Sequence, residues 1–78
     1  MKKTEALTLI AKCFEENPEN IRPETTRDEI IGWDSLGVLS LMSIFDSEFD
    51  ILLTAEDMIA MTKVSDILLI LEENGKLD

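Results

Sequence analysis

The residues of this sequence best suited to take part in chemistry are Asp34, Ser35 and Leu36, which open its most apolar stretch. Aspartate and serine are typical of the point where a loop becomes a helix, because either side chain can accept a hydrogen bond from an unpaired first amide. A serine there faces water at the positive end of the helix dipole, where an attached anion is stabilised. Since the sequence contains no histidine to activate a serine for catalysis, we predict that Ser35 receives a phosphate-linked group and is not a catalytic residue.

Length and charge restrict the class of protein. The 78 residues are enough for one domain, residues 1–78, with a small aliphatic core. Seventeen acidic and seven basic residues give a net charge of −10, which repels nucleic acid and anionic membranes and favours basic partner proteins. No apolar segment reaches the roughly 18 residues that a membrane span needs, and the first residues lack the pattern of a secretory signal.

Cys13 is the only cysteine, so no internal disulfide is expected. A lone cysteine fits a reducing compartment, and we predict a cytoplasmic protein. The spacing of Cys13 from Leu9 and Ile10 places it near the apolar side of a helix, which favours a packed thiol over a reactive one.

Apolar periodicity predicts an all-α fold, a small antiparallel bundle of three main helices plus one short helix. The predicted helices cover residues 3–16, 35–49, 54–60 and 63–74, and a long loop joins the first helix to the second. Local signals set their ends: Pro18 should stop the first helix, and Thr54 with Asp57 forms a capping box for the short third helix. Thr62 is expected to cap the fourth helix, and Gly75 to terminate it.

The connecting segments carry apolar residues that should hold them on the core. Ile21, Ile30 and Ile31 are expected to pin the long loop, which has a short helical turn at residues 27–29. Residues 51–53 are apolar but have no strand to pair with, so we interpret them as a buried extended connector.

In the second helix, Leu41, Phe45 and Phe49 follow a helical stripe that suits the core. Leu36 and Leu39 lie on a different side, so part of the apolar surface is expected to remain exposed as a protein-docking surface.

The sequence resembles the acyl carrier protein family, including its stand-alone specialised members and the peptidyl carrier domains. The matching residues are Gly32-Trp33-Asp34-Ser35-Leu36, a following apolar helix that ends in Asp46-Ser47-Glu48-Phe49-Asp50, and Glu56-Asp57 at the start of the third helix. The family register continues without a gap from Asp34 to Leu71, whereas the first helix and long loop match only in length and character.

In that family, the serine of the tripeptide bears 4′-phosphopantetheine, donated by coenzyme A, through a phosphodiester. The resemblance therefore implies that Ser35 is the attachment site, and that the protein is a non-catalytic carrier of acyl or aminoacyl intermediates held as thioesters. The implied partners are a phosphopantetheinyl transferase and the enzymes that load and transfer the cargo, and the implied state is a monomer. The pathway would be of the lipid, polyketide or nonribosomal peptide type.

The resemblance also implies two groups of binding residues. Those expected to contact partner enzymes are Asp34, Leu36, Leu39, Asp46, Glu48 and Glu56. Those expected around an acyl chain are Phe45, Phe49, Met58 and Met61. Simpler interpretations stay open for both groups: a plain helix cap for the aspartate beside the serine, core packing for the apolar residues, and a solvated face for the acidic ones.

Some residues depart from the family pattern. Ser40 stands where fatty-acid-synthesis carriers usually have a glutamate, Ser43 replaces an apolar contact residue, Gly37 lies inside a helix, and Trp33 is bulky beside the expected arm. These departures favour a carrier dedicated to one pathway. The alternative function is an acidic helical protein-interaction module without a prosthetic group.

A specific metal site is not predicted. Asp46, Glu48 and Asp50 alternate as in a calcium loop, but Phe49 and Ile51 occupy positions where such a loop needs a glycine and further oxygen ligands.

Overall fold

The computed structural model describes residues 1–78 and contains only helical elements. The α-helices are α1 (Lys3–Cys13), α2 (Ser35–Phe49), α3 (Ala55–Ala60) and α4 (Val64–Glu73), with 3₁₀ turns at Pro18–Asn20 and Arg27–Glu29. This architecture confirms the predicted small all-α bundle, its short third helix and the long loop before α2. None of the helices combines the length and the apolar character needed to cross a membrane.

Helix α2 has the predicted bounds, and its two ends show why. Asp34 is the N-cap, with its Oδ1 accepting a hydrogen bond from the Gly37 amide at 3.0 Å. At the other end Asp50 takes the left-handed conformation (φ 55°), and the Ile51 amide bonds back to the Phe45 carbonyl at 3.0 Å. The residues at the two ends of α2, Asp34 and Asp50, therefore stop the helix where its apolar segment begins and ends.

Helix α1 ends earlier than predicted, at Cys13. Glu15 has a φ of 53°, which turns the chain out of the helix before Pro18 is reached. The amide of Glu15 bonds to the Lys12 carbonyl at 3.2 Å, and that of Glu16 to the Ala11 carbonyl at 2.9 Å. This pair of bonds is the Schellman arrangement, which satisfies the last carbonyls of a helix.

The capping box of α3 is confirmed by reciprocal bonds between Thr54 and Asp57, at 2.9 and 3.1 Å. The predicted role of Thr62 is wrong, because the N-cap of α4 is Lys63. The carboxylate of Asp66 accepts from the amides of Thr62 and Lys63, and these bonds hold the pKa of Asp66 below its ordinary value. Gly75, with a φ of 71°, follows α4 as predicted.

Thr62 does not cap α4 because backbone hydrogen bonds hold its segment in an extended conformation against the long loop. The Arg27 amide donates to the Thr62 carbonyl at 2.8 Å, and the Val64 amide donates to the Thr25 carbonyl at 2.9 Å. Thr26 and Lys63 consequently form an isolated antiparallel bridge. The long loop is therefore tied to the junction of α3 and α4.

One aliphatic and aromatic core holds the helices together. Its buried residues are Ala6, Ile10, Ala11, Cys13, Phe14, Ile21, Ile30, Trp33, Leu41, Phe45, Ile51, Leu53, Met58, Met61, Val64, Ile67, Leu68 and Leu71. Two predicted burials are wrong: the side chain of Ile31 is 93% exposed and that of Leu52 is 80% exposed. In an extended segment neighbouring side chains point to opposite sides, so Ile30 and the residues on either side of Leu52 take the core positions instead.

Candidate functional site

Ser35 is the first residue of α2, and its side chain is exposed. Its hydroxyl makes no hydrogen bond within the protein, and the amides of Ser35 and Leu36 also lack protein acceptors. Free amides at the start of a long helix, together with the helix dipole, favour a bound anion. Ser35 therefore combines an accessible hydroxyl with a local environment that stabilises a phosphodiester.

Close backbone packing fixes the start of α2. A Cβ added at Gly32 would overlap the carbonyl oxygen of Phe14, and one added at Gly37 would overlap the carbonyl oxygen of Gly32. The added Cβ at Gly37 would also lie 2.7 Å from the Phe14 ring. The first turn of α2 thus rests directly on the preceding loop and on the end of α1, which leaves the position of Ser35 little freedom.

Trp33 strengthens this arrangement from inside the molecule. Its side chain is buried, and its ring stacks on Phe14 with centroids 4.9 Å apart. The guanidinium of Arg27 lies 5.9 Å from the centre of the Trp33 ring on the side of the long loop. The buried indole N–H has no hydrogen-bond partner, so Trp33 contributes by packing.

A cleft of about 100 Å³ lies beside Ser35, between the end of α1 and the first turn of α2. Its lining consists of Cys13, Phe14, Glu15, Gly32, Asp34, Leu36, Gly37 and Ser40. Cys13 is buried in the packed core as predicted, and desolvation raises the pKa of its thiol to about 11. Its thiol is therefore protonated at neutral pH and weakly nucleophilic.

Leu36 and Leu39 extend the exposed surface from Ser35 along α2. Their side chains are 75% and 61% exposed, which excludes the core-packing interpretation of Leu39. The structure adds Ile59 on α3, which is exposed to a similar degree and was missed in the sequence. Its neighbour Met58 takes the buried position of that short helix, and the roughly 100° step between consecutive residues sends Ile59 outward. That step could have identified it.

The four residues expected around an acyl chain lie in or against the core. Phe45, Met58 and Met61 are buried, and Phe49 is half-buried with its ring edge-on to Phe45 at a centroid distance of 5.4 Å. Met61 also lines a shallow depression between α3 and α4. These residues share one packed interior.

The acidic residues expected at partner interfaces are all on the surface. Asp34, Asp46, Glu48 and Glu56 are exposed, and none of them forms an ion pair. From Asp28 to Thr62, with both ends included, there are eight acidic residues and no lysine or arginine. No group of acidic, cysteine or histidine side chains is arranged to hold a metal ion.

This unbalanced charge leads to a prediction about stability. The only ion pair joins the N-terminus to Asp78 at 3.6 Å on the surface, so the net charge of −10 is largely uncompensated. Salt screens repulsion between exposed charges, and we expect the melting temperature to rise as NaCl increases from low concentration. Thermal unfolding followed by circular dichroism measures this, and an unchanged melting temperature across the salt series would contradict it.

A comparison of the chain with models of known protein families finds no match, and neither does a comparison with curated proteins.

Proposed function

We propose that this protein is a carrier whose Ser35 is the attachment point for 4′-phosphopantetheine. The observation that carries the proposal is the exposed, unpartnered hydroxyl of Ser35 at the first position of the 15-residue helix α2. The free amides of Ser35 and Leu36 suit the phosphodiester chemically. When attached, the group supplies a thiol that holds acyl or aminoacyl cargo as a thioester.

The residues around Ser35 fit the same proposal. The Oδ1 atom of Asp34 caps α2 through the Gly37 amide, while Oδ2 has no protein partner. The same carboxylate can therefore fix the helix and approach the metal ion of a phosphopantetheinyl transferase. The exposed side chains of Leu36 and Leu39 offer apolar contact area to that enzyme and to the enzymes that load and unload the cargo.

The resemblance to acyl carrier proteins supports this function, and the uncharged Ser40 and Ser43 support a carrier dedicated to one biosynthetic pathway. In this proposal the chain performs no catalysis. Its residues hold the attachment site rigid, keep it accessible and present an acidic surface to basic partner enzymes.

Intact-mass spectrometry after incubation with coenzyme A and a broad-specificity phosphopantetheinyl transferase tests the proposal. We expect the wild-type protein to gain the mass of one phosphopantetheine, and Ser35→Ala to gain none. Ser47→Ala, which changes another exposed serine of α2, is the matched control and should be modified like wild type. If several transferases leave the wild type unmodified, the alternative of an acidic interaction module without a prosthetic group is favoured.

A further inference from the structure

Glu15 occupies an unusual place beside the proposed attachment site. It follows α1 and lines the cleft that also contains Asp34 and Leu36, the two neighbours of Ser35. It also lines an adjoining shallow depression along α2. We call the lining of this depression the α1–α2 surface; it consists of Glu15, Leu36, Leu39, Ser40, Ser43 and Ile44.

The backbone of Glu15 is in a conformation that suits glycine better. Its φ of 53° lies in the left-handed region, where a side chain with a Cβ is disfavoured. The side chain makes no hydrogen bond and no ion pair that would offset this strain. By contrast, the carboxylate of the next residue, Glu16, accepts from the Asn17 amide at 3.1 Å and from the Asn20 side chain at 3.2 Å. The left-handed backbone forms the Schellman arrangement that ends α1, and glycine would form the same arrangement with less strain. Nothing in the fold therefore requires a glutamate side chain at this position, which leaves it available for a role outside the fold.

Glu15 is also the only charged residue of the α1–α2 surface. The two α2 residues that could have carried acidic groups there, Ser40 and Ser43, are neutral. The exposed side chains of Leu36 and Leu39 supply the apolar part. The surface therefore combines one carboxylate with an apolar patch that includes Leu36, the residue after Ser35.

We propose that Glu15 is a specificity-determining residue for the phosphopantetheinyl transferase, pairing with a lysine or arginine of that enzyme while apolar side chains cover Leu36 and Leu39. This inference rests on the proposed function. The transferase is the occupant because it must reach Ser35. In addition, the segment from Asp28 to Thr62 has eight acidic residues and no basic one, which favours a basic partner. Within the α1–α2 surface, the acidic contact is thus supplied from the end of α1.

Transferase kinetics with Glu15→Lys test the proposal, with Glu19→Lys as the matched control. Both substitutions change the net charge equally, but Glu19 lies in the Pro18–Asn20 turn and lines neither depression. At low salt we expect Glu15→Lys to lower kcat/KM for phosphopantetheine transfer about fivefold more than Glu19→Lys does. The difference should shrink at high salt, since a rim charge is screened.

Glu15→Gly separates recognition from folding. Glycine relieves the left-handed strain, so we expect the melting temperature to rise by about 4 °C while kcat/KM at low salt still falls. Equal kinetics for Glu15→Lys and Glu19→Lys, or unimpaired transfer to Glu15→Gly, would overturn the inference. In either case efficient modification of the wild-type protein would leave the proposed function standing, whereas absence of modification in the wild type would refute both.

Discussion

Replacing Gly37 with alanine is expected to destabilise the protein by about 2 kcal/mol, although helix propensity alone favours alanine by about 1 kcal/mol. The reason is the close approach of α2 to the loop before it. An added Cβ would overlap the carbonyl oxygen of Gly32 and press on the ring of Phe14, and a backbone carbonyl has little room to move aside. A decrease in the free energy of unfolding would therefore show that packing of this turn outweighs helix propensity, and an increase would show the reverse.

Urea unfolding followed by circular dichroism measures the effect as a decrease in the free energy of unfolding. Ser40→Ala, an exposed position on the same helix, is the control and should gain about 0.5 kcal/mol from propensity. Gly32→Ala should be at least as damaging as Gly37→Ala, because its Cβ would overlap the Phe14 carbonyl. A Gly37→Ala variant as stable as wild type would show that α2 does not rest on Gly32 as described.

The thiol of Cys13 is expected to react with iodoacetamide at pH 8 about a hundredfold more slowly in the folded protein than in urea. Desolvation raises its pKa from 9.0 to about 11 in the folded protein, so the reactive thiolate is correspondingly rarer, and burial limits access as well. Mass spectrometry of timed aliquots measures both rates. Equal rates in the two conditions would mean that the Cys13 side chain is accessible.

The raised pKa of Cys13 also makes the free energy of unfolding decrease as pH rises. A thiol whose pKa is higher in the folded state binds its proton more tightly there, so its contribution to stability is complete below pH 9.0 and decreases as pH rises towards about 11. Cys13→Val should lose this part of the pH dependence. Under the proposed function, the thiol of the arm is then the reactive one. Because Cys13 is unreactive, its thiol does not exchange with a thioester bound to the arm.

The parts of the fold that the sequence predicted are those governed by local signals. The bounds of α2 and the capping box of α3 follow from Asp34, Thr54 and Asp57, whose side chains bond within their own turns. Ser35 was identified as the candidate site for the same reason, because its place at the start of α2 depends on neighbouring residues.

The wrong predictions concern positions whose conformation depends on contacts between residues that are distant in the sequence. Nothing between Lys12 and Pro18 predicts that Glu15 adopts a left-handed φ. The residue before it, Phe14, stacks on Trp33, a contact between segments distant in the sequence. Thr62 has the chemistry of a cap, but its carbonyl is taken by the Arg27 amide from the long loop. The sequence does not predict the place of Glu15 beside α2, because periodicity puts this residue inside the first helix, whereas α1 ends at Cys13.

The bonds between the long loop and the α3–α4 junction have a mechanical consequence. Helix α3 is only six residues long and has a single buried side chain, Met58, so it is the helix most easily displaced as a unit. The segment that follows α3 is tied to the long loop, because the Thr62 carbonyl accepts a hydrogen bond from the Arg27 amide, and the Arg27 guanidinium lies over the Trp33 ring. Moving α3 away from the core would therefore strain the backbone hydrogen bond between Thr62 and Arg27.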